Sequence, residues 1–488
     1  MVTTADVDIL VIGAGQAGLS VGYHLRRLGL RPGQDFLIVD HAPGPGGAWQ
    51  FRWPSLTLTT VNRVHDLPGM SFAETLPPGS DNVPAATAVP HYFALYEQRF
   101  ELAVHRPVSV RVVCDRATAA TCPIGEADGL LHAEAVPGPA AAPPPDAGPP
   151  GSGPAADHEP RVPSGLDGWP TTAWSTGHEP SPVPAERELP VTGRAARRAA
   201  DAQTGTITDR EPGPTGPGAR PAANARAEVI ASEAGPAPTT RPATTFRVRG
   251  LVNATGTWEK PFIPYYPGAE TFAGRQLHAH DYRTAAEFAG AHVVVVGAGI
   301  SAIQLLDEIS QVTTTTWVSR TEPRWRETPF SPDDGRRAVA LVEDRVRRGL
   351  PPRSVVSVTG LPVDDRIRAA RSRGVLRWHP VFQRIEPEGV RWADGTFQPA
   401  QVILWATGFR SALDHLAPLR LRGPGGGITM TGRLATQVAA DPRIHLIGYG
   451  PSASTIGANR AGRAAAVELT EYLSPPGRRA RRTGPEPG

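Results

Sequence analysis

Three glycines near the start of the chain have the spacing of a phosphate-binding turn. They follow an apolar run at residues 9–12 and precede a segment with apolar side chains on one helical face. In a strand–turn–helix unit the first glycine permits the tight turn, the second lets a pyrophosphate approach, and the third lets helix and strand pack closely. The helix N-terminus adds free N–H groups and a partial positive charge. The predicted cofactor contacts are Gly13, Gly15, Gln16, Ala17 and Gly18.

An acidic residue ends the second predicted strand. The apolar residues 36–39 lead into Asp40, where a carboxylate can accept hydrogen bonds from a ribose hydroxyl. A Gly-Gly-x-Trp stretch follows, and its Gly47, Ala48 and Trp49 are further predicted cofactor contacts. Its glycines permit a loop to lie against a flat ligand, which Trp49 would cover.

A second turn of the same kind begins after the four valines at residues 293–296. The strand that follows it ends at Arg320 instead of an acid, and an arginine suits a nucleotide that carries a 2′-phosphate. Two different nucleotides are therefore expected. The predicted contacts of the second one are Gly297, Gly299, Ile300, Ser301, Ala302, Ser319 and Arg320.

The composition argues against several functional classes. The 488 residues carry 50 Lys and Arg against 47 Asp and Glu, a balance that does not indicate nucleic-acid binding. No apolar run approaches the roughly 20 residues of a transmembrane helix, and no signal segment precedes the first strand. Cys114 and Cys122 have neither CxxC spacing nor a disulfide-framework pattern. We therefore expect a cytoplasmic protein with reduced cysteines and no metal site.

Residues 117–243 differ from the rest of the chain. They are crowded with Pro, Ala, Gly and Thr and have few large apolar side chains. Such a segment cannot bury enough apolar surface to offset its conformational entropy. We predict a mostly disordered insertion with one surviving strand at residues 130–136, and the alternative is a segment that docks a protein partner.

Taken in order, these motifs resemble the class B flavoprotein monooxygenases, which include flavin-containing and Baeyer–Villiger monooxygenases. The resemblance rests on the two glycine turns, Asp40, the Gly-Gly-x-Trp stretch, a FxGxxxHxxxY pattern at residues 272–282, and two Ala-Thr-Gly stretches. Each motif is weak alone, whereas the ordered set covers the chain except the insertion and the tail. Tyr282 is the last residue of the FxGxxxHxxxY pattern, as in the flavin-containing type. Baeyer–Villiger enzymes commonly have tryptophan at this position.

The resemblance implies an α/β fold with two Rossmann-like domains, FAD and NADPH as cofactors, and a small organic substrate. It implies an FAD-binding domain at residues 1–116, 244–268 (with a linker) and 401–474, and an NADPH-binding domain at residues 269–400. The insertion at 117–243 departs from the family pattern, and the composition predicts a basic disordered tail at 475–488. The further cofactor contacts that the resemblance implies are Val110, Ala254, Thr255, Gly256, Ala406, Thr407 and Gly408.

The implied reaction has three steps. NADPH reduces FAD, reduced flavin reacts with O2 to give a peroxyflavin, and this species transfers one oxygen atom to the substrate. Because the flavin carries the chemistry, no side-chain nucleophile is expected. The catalytic residues are not identified by the motifs; the candidates are Thr59, Thr60 and Asn62, near the family's active-site asparagine, and His278.

Two other readings stay open. The first is a flavin oxidoreductase that does not insert oxygen: an NADPH oxidase that releases peroxide or, less well supported, a disulfide reductase, because Cys114 and Cys122 lack the spacing of a redox dithiol. The second is a non-catalytic flavin-binding protein that docks a partner through its Pro-rich insertion.

Replacing Arg320 tests the choice between the two nicotinamide cofactors. Charge-assisted hydrogen bonds to a 2′-phosphate are worth about 1.5–3 kcal/mol. Arg320→Ala should therefore lower kcat/KM for NADPH roughly ten- to over a hundredfold, while NADH, which lacks that phosphate, changes little. Equal losses with both cofactors would instead assign Arg320 to the fold or to the pyrophosphate.

Overall fold

The structure is a computed structural model that describes residues 3–61, 64–115, 129–138, 244–328, 332–352 and 360–474. All of these residues belong to one structural unit. The tail at 475–488 and most of the insertion at 117–243 lie outside the described residues, so the predictions of disorder and of partner docking are not tested there.

The described chain contains strands and α-helices in a mixed order. The strands are β1 (Thr3–Ile12), β2 (Phe36–Val39), β3 (Val108–Cys114), β4 (Leu131–Pro137), β5 (Thr244–Asn253), β6 (Arg275–His278), β7 (Val293–Val296), β8 (Thr315–Ser319), β9 (Trp325–Arg326), β10 (Leu361–Pro362), β11 (Trp378–Pro380), β12 (Arg384–Glu386), β13 (Gly389–Arg391), β14 (Phe397–Pro399), β15 (Val402–Trp405), β16 (Met430–Thr431), β17 (Gln437–Val438) and β18 (Ile444–Leu446). The helices are α1 (Gln16–Arg27), α2 (Ala85–Arg99), α3 (Ile300–Ile309), α4 (Pro332–Arg347), α5 (Asp365–Ser372) and α6 (Thr455–Leu473).

The first sheet has the strand order β16-β17-β18-β5-β1-β2, and β4 joins β5 on one side and β3 on the other. The strands β18, β5, β1 and β2 are parallel. Chain order runs from β1 to β2 on one side, and β5 then pairs on the other side of β1. Ligands of open α/β sheets bind at such a switch point, outside the carboxyl ends of the strands.

The second sheet repeats this arrangement. Its order is β11-β8-β7-β15-β6, and all of its pairs are parallel. Here β7 is flanked by β8 and by the sequence-distant β15, so a second switch point lies between β7 and β15. The predicted fold class, α/β with two Rossmann-like sheets, is confirmed.

Both central strands are buried on two faces, which explains their continuous apolar sequences. Along β1, Ile9 and Val11 enter one hydrophobic core and Leu10 and Ile12 enter the other. The four valines of β7 divide between two further cores in the same way. Successive side chains of a strand point to opposite faces, so each run fills two cores.

The loop that follows the Gly-Gly-x-Trp stretch crosses to the second sheet. Trp53 and Leu56 belong to the core around α3, and the Ser55 hydroxyl donates to Glu308 on that helix at 2.7 Å. The Tyr282 hydroxyl donates to the same carboxylate at 2.7 Å. Tyr282, the last residue of the FxGxxxHxxxY pattern, thus helps to hold this loop.

Two connections between the sheets run side by side. One follows β5 and the other follows β15, and main-chain hydrogen bonds join them, from Phe262 N to Gly408 O at 3.0 Å and from Arg410 N to Lys260 O at 2.8 Å. The second connection starts from β15, which belongs to the second sheet because it pairs with β6 and β7. The predicted boundary between residues 400 and 401 instead assigns this strand to the FAD-binding domain.

The strand predicted at residues 130–136 within the insertion is present as β4, which pairs with β3 and β5. One feature of the described chain differs from the sequence predictions. Cys114 at the end of β3 is disulfide-bonded, so the expectation of reduced cysteines is wrong at this position. Cys122 lies outside the described residues.

Candidate cofactor-binding site

The first glycine turn is closed by backbone contact with β5. Gly13 has φ +99°, and a Cβ added to it would lie 2.6 Å from the Ala254 carbonyl oxygen. At Gly18 the added atom would lie 1.9 Å from the Gly13 carbonyl oxygen. At Gly15 it would meet nothing within 4 Å. The crowded glycines therefore build the turn, and the open one leaves space in front of the α1 N-terminus, where a pyrophosphate fits.

The second turn has the same construction. Gly297 has φ +149°, and an added Cβ would lie 2.3 Å from the Ala406 carbonyl oxygen, whereas nothing lies within 4 Å of one added to Gly299. Ala302 replaces the third glycine and is fully buried. Each turn is thus backed by an Ala-Thr-Gly stretch, and each leaves a helix N-terminus open, at Ile300 in this case.

Asp40 braces the first turn. Its carboxylate is buried and accepts hydrogen bonds from Ala14 N at 2.5 Å and from Ala42 N at 2.8 Å. Each carboxylate oxygen has a second lone pair, so acceptance from a ribose hydroxyl remains chemically open. Val108 N donates to the Asp40 carbonyl at 2.8 Å; the predicted contact Val110 lies two residues further along β3, paired with Ala135.

The Gly-Gly-x-Trp stretch lies against this turn. A Cβ added to Gly47 would lie 2.9 Å from Gly15 Cα, so only glycine permits the contact. A short 3₁₀ helix, Gly47–Phe51, starts there and carries Ala48 and Trp49. The Trp49 ring is half-buried and packs on the core of the first sheet.

The first Ala-Thr-Gly stretch is held by a hydrogen-bond network. Thr255 Oγ1 donates to the Ala412 carbonyl at 2.7 Å and accepts from Asn253 Nδ2 at 3.0 Å. Asn253 Oδ1 lies 2.7 Å from His415 Nε2, which must donate. Burial lowers the pKa of His415 to about 4, so its imidazole is neutral. Gly256, which ends the stretch, accepts from Ala412 N at 3.0 Å.

His278 plays the matching part at the second Ala-Thr-Gly stretch. Its Nε2 donates to the Gly408 carbonyl at 3.0 Å, and its Nδ1 accepts from His280 N at 3.0 Å. Burial lowers the pKa of His278, which is 1% exposed. Both ring nitrogens are used, so this candidate catalytic residue has no free lone pair and positions the loop. Thr407 Oγ1 donates to the Phe262 carbonyl in the same region.

The other candidate catalytic residues are not brought together at a reacting centre. Thr59 Oγ1 donates to the Asp81 carbonyl at 2.7 Å, and Thr60 Oγ1 bonds with the Thr57 backbone. Asn62 lies outside the described residues. The structure thus adds no support for the two threonines as catalytic groups.

Side chains at the two nucleotide turns have partners within the protein. Gln16 Nε2 donates to the His65 carbonyl and to Asn459 Oδ1, so its side chain joins α1 to α6. Ser319 Oγ donates to the Thr321 carbonyl at 2.7 Å and accepts from Trp378 Nε1 at 2.9 Å. Because a serine has one O–H, Ser319 cannot also donate to a phosphate. Arg320 and Ser301 retain exposure to solvent.

An aromatic cluster between the two Ala-Thr-Gly stretches has no sequence motif. Trp258, two residues after Gly256, stacks on Phe409 with ring centroids 5.1 Å apart and lies 4.6 Å from the His280 ring. The Arg52 guanidinium lies 4.2 Å from the centre of the Trp258 ring. Only the position of Trp258 directly after the motif could have indicated it.

Two absences concern the described ranges only. Within them, no group of three His, Cys, Asp or Glu side chains is arranged to hold a metal ion. Of the helices in the same ranges, none has the length and apolar character needed to cross a membrane.

Comparison with known proteins gives two family matches. Residues 247–350 match the flavin-binding monooxygenase-like family, and residues 11–75 match an NAD(P)-binding Rossmann-like domain. A flavin-containing monooxygenase from Stenotrophomonas maltophilia has a similar structure, with a TM-score of 0.60, 27% identity, and coverage of 96% of this chain and 99% of that chain.

Curated relatives match over shorter segments. Trimethylamine monooxygenase of Pelagibacter ubique is 50% identical over 52 residues, 11% of this chain and 12% of that protein. Indole-3-pyruvate monooxygenase YUCCA4 of Oryza sativa is 30% identical over 201 residues, 35% of this chain and 46% of that protein. The oxidoreductase CzcO of Bacillus velezensis is 37% identical over 97 residues, 20% of this chain and 26% of that protein. The chain therefore spans less than half of the length of these curated relatives. The predicted resemblance is confirmed, with a flavin and a nicotinamide nucleotide as cofactors.

Alanine at Gly15 and at Gly18 should separate cofactor binding from folding. The Gly15 variant should keep the melting temperature of the FAD-free protein, because its new methyl group meets no protein atom. It should weaken FAD binding roughly tenfold or more, about 1.4 kcal/mol, by filling the phosphate space. The Gly18 variant should lower the melting temperature itself. Calorimetry and FAD titration measure both, and unchanged FAD affinity in the Gly15 variant would contradict the assignment.

Acid should destabilise the protein partly through His415. Its pKa is lowered from 6.5 to about 4 in the folded state, so between these values the unfolded chain binds a proton that the folded chain does not. Stability is then lost as pH falls from about 6.5 towards 4. Urea unfolding at pH 7 and pH 5 should show a loss smaller by roughly 1–2 kcal/mol in His415→Gln, which keeps a donor for Asn253. An equal loss in both proteins would show that His415 titrates normally.

Proposed function

We propose that this chain, a relative of the flavin-binding monooxygenases, is an FAD-dependent monooxygenase that uses NADPH and O2 to oxygenate a small organic substrate. The observation that carries the proposal is the duplicated turn. Gly15 and Gly299 each leave open space at a helix N-terminus, at the switch points of two sheets in one structural unit. One site per nucleotide is what a two-cofactor reaction requires.

We assign the first turn to FAD. The α1 N-terminus at Gly15 would hold the pyrophosphate, and Asp40 would accept from the adenosine ribose. When bound, FAD supplies the redox chemistry and the activation of O2, which side chains cannot provide. The neighbouring loops of Gly47 and Ala254 would hold FAD against the first sheet. This sheet, together with residues 244–268, forms the proposed FAD domain.

The second turn is the proposed NADPH site. The α3 N-terminus at Gly299 would hold the pyrophosphate, and Arg320, exposed at the end of β8, would bind the 2′-phosphate. Ser319 was also predicted to contribute, but its only O–H donates to Thr321, so the preference for NADPH rests on Arg320. The proposed NADPH domain is the second sheet including β15.

The protein's own groups position the cofactors and exclude water. His278 and His415 are neutral and each holds one of the two connections through hydrogen bonds. The buried Trp258 stacks on the partly buried Phe409 between these connections. Apolar rings at this position would help to keep water from the bound cofactors.

The alternatives are an oxidase that releases peroxide and a docking protein that uses the Pro-rich insertion. The docking alternative has no support, since that segment lies outside the described residues. A cytoplasmic location remains a prediction, and the disulfide at Cys114 removes one of its arguments.

Turnover of the FAD-loaded protein tests the proposed function. Under anaerobic conditions NADPH should bleach the flavin spectrum. With O2 the protein should convert at least one amine, sulfide or ketone in a panel into a product heavier by about 16 mass units, the mass of one oxygen atom transferred by the flavin. Gly299→Ala, which fills the proposed NADPH space, is the matched control and should slow reduction without loss of FAD. Stoichiometric peroxide with every compound would support the oxidase.

A further inference from the structure

Arg52 is a cation with no acidic partner among the residues that the structure describes. It follows the 3₁₀ helix Gly47–Phe51, and its guanidinium lies 4.2 Å from the Trp258 ring centre and 5.8 Å from the Trp49 ring centre. Across the described residues, no carboxylate lies within ion-pair distance of it and no group accepts a hydrogen bond from it. Arg106, by contrast, pairs with Glu97 at 2.7 Å.

The terminal nitrogens of the Arg52 guanidinium are not buried. Nε is buried and unpartnered, whereas Nη1 and Nη2 are not among the buried atoms and also have no partner. Burial lowers the pKa of Arg52 to about 10, which keeps it charged at neutral pH. Stacking on an aromatic face fixes the plane of the guanidinium and stabilises it modestly. The result is a preoriented two-pronged donor that no protein group uses.

Its position is at the convergence of the site motifs. Trp49 belongs to the loop that lies against the first glycine turn, and Trp258 follows the first Ala-Thr-Gly stretch. Trp258 in turn stacks on Phe409, which follows the second stretch. Arg52 is thus in contact with residues that neighbour the first glycine turn and the first Ala-Thr-Gly stretch.

The cofactors do not account for this donor. The FAD pyrophosphate belongs to the turn at Gly15, and the five residues of the 3₁₀ helix place Arg52 about 10 Å along the chain from it, at roughly 2 Å per residue. The NADPH 2′-phosphate belongs to Arg320 on the second sheet, and a nicotinamide ring carries no anionic group.

We infer that Arg52 binds the carboxylate of an acidic substrate, in a two-pronged ion pair formed at the junction of the two sheets. The inference rests on the proposed function and adds a substrate class to it. A guanidinium fork matches both oxygens of a carboxylate, and a neutral substrate would leave the charge unpaired in a partly desolvated site.

Matched acids and esters test the inference on the FAD-loaded protein. The probes are benzoylformate and (phenylthio)acetate, each with its methyl ester, and binding is measured from the change in the oxidised flavin spectrum. At least one acid should bind about tenfold or more tightly than its ester. Arg52→Gln should weaken that acid roughly ten- to a hundredfold and leave the ester unchanged, as expected for loss of charged hydrogen bonds. Arg52→Lys should retain part of the preference.

Arg410→Gln is the matched control. Arg410 also stacks on an aromatic ring, 4.1 Å from the Phe262 ring centre, and its replacement should leave the acid-to-ester ratio unchanged. A wild-type protein that binds neither acid better than its ester would overturn the inference. Equal weakening of acid and ester by Arg52→Gln would overturn it in favour of a packing role.

A further arm separates the substrate from the cofactor. If Arg52→Gln weakens NADPH while the acid-to-ester ratio stays at the wild-type value, Arg52 binds a cofactor phosphate and the inference is overturned. Should the Gln variant lose FAD, the comparison of acid with ester in the wild type and in Arg52→Lys decides. Binding of the acid to the protein with oxidised flavin needs neither NADPH nor O2. A failure of this inference can therefore be distinguished from a failure of the proposed monooxygenase reaction.

Discussion

A close backbone contact at the first glycine of each turn is the constraint on which both nucleotide sites depend. The carbonyl oxygens of Ala254 and Ala406 lie so near Gly13 and Gly297 that a Cβ at either glycine would approach within 2.6 and 2.3 Å. Both glycines also have positive φ, which other residues adopt with strain. The first residue of each turn must therefore be glycine, because a side chain would collide with the end of the neighbouring strand. With glycine there, the N-terminus of the following helix is left facing open space.

The same contact couples the two sheets. Each carbonyl belongs to an Ala-Thr-Gly stretch, and each stretch continues into one of the paired connections between sheets. Main-chain hydrogen bonds and two neutral histidines, His278 and His415, hold these connections. Neutral imidazoles suit this task because each can donate from one nitrogen without the cost of burying a charge. The geometry of the cofactor turns and that of the junction are consequently set by one backbone framework.

Charge at the junction is distributed unevenly. His41 lies 3.2 Å from Glu259, and the hydrogen bond to that carboxylate raises the pKa of His41. Glu259 is adjacent in sequence to Trp258, yet the guanidinium stacked on Trp258 has no acid of its own. A partly buried cation without a counter-charge is unfavourable in the isolated protein. Its aromatic neighbours offset only part of this penalty. The arrangement therefore favours binding of an anionic ligand over a role in stabilising the fold.

The sequence by itself determined the two glycine turns, the acid at Asp40, the basic end of β8 and the α/β class. These signals are local: strand, turn and helix follow each other within about 30 residues, and the steric and electrostatic needs of a nucleotide fix the residue types. Tertiary structure decided what depends on distant segments. It assigned β15 to the second sheet, paired β4 with β3 and β5, used both nitrogens of His278 for positioning, and occupied the only O–H of Ser319. It also brought Arg52, Trp258 and Phe409 together from three segments far apart in sequence. No spacing rule links those segments, because their contact is created by strand pairing and packing and not by the local chain.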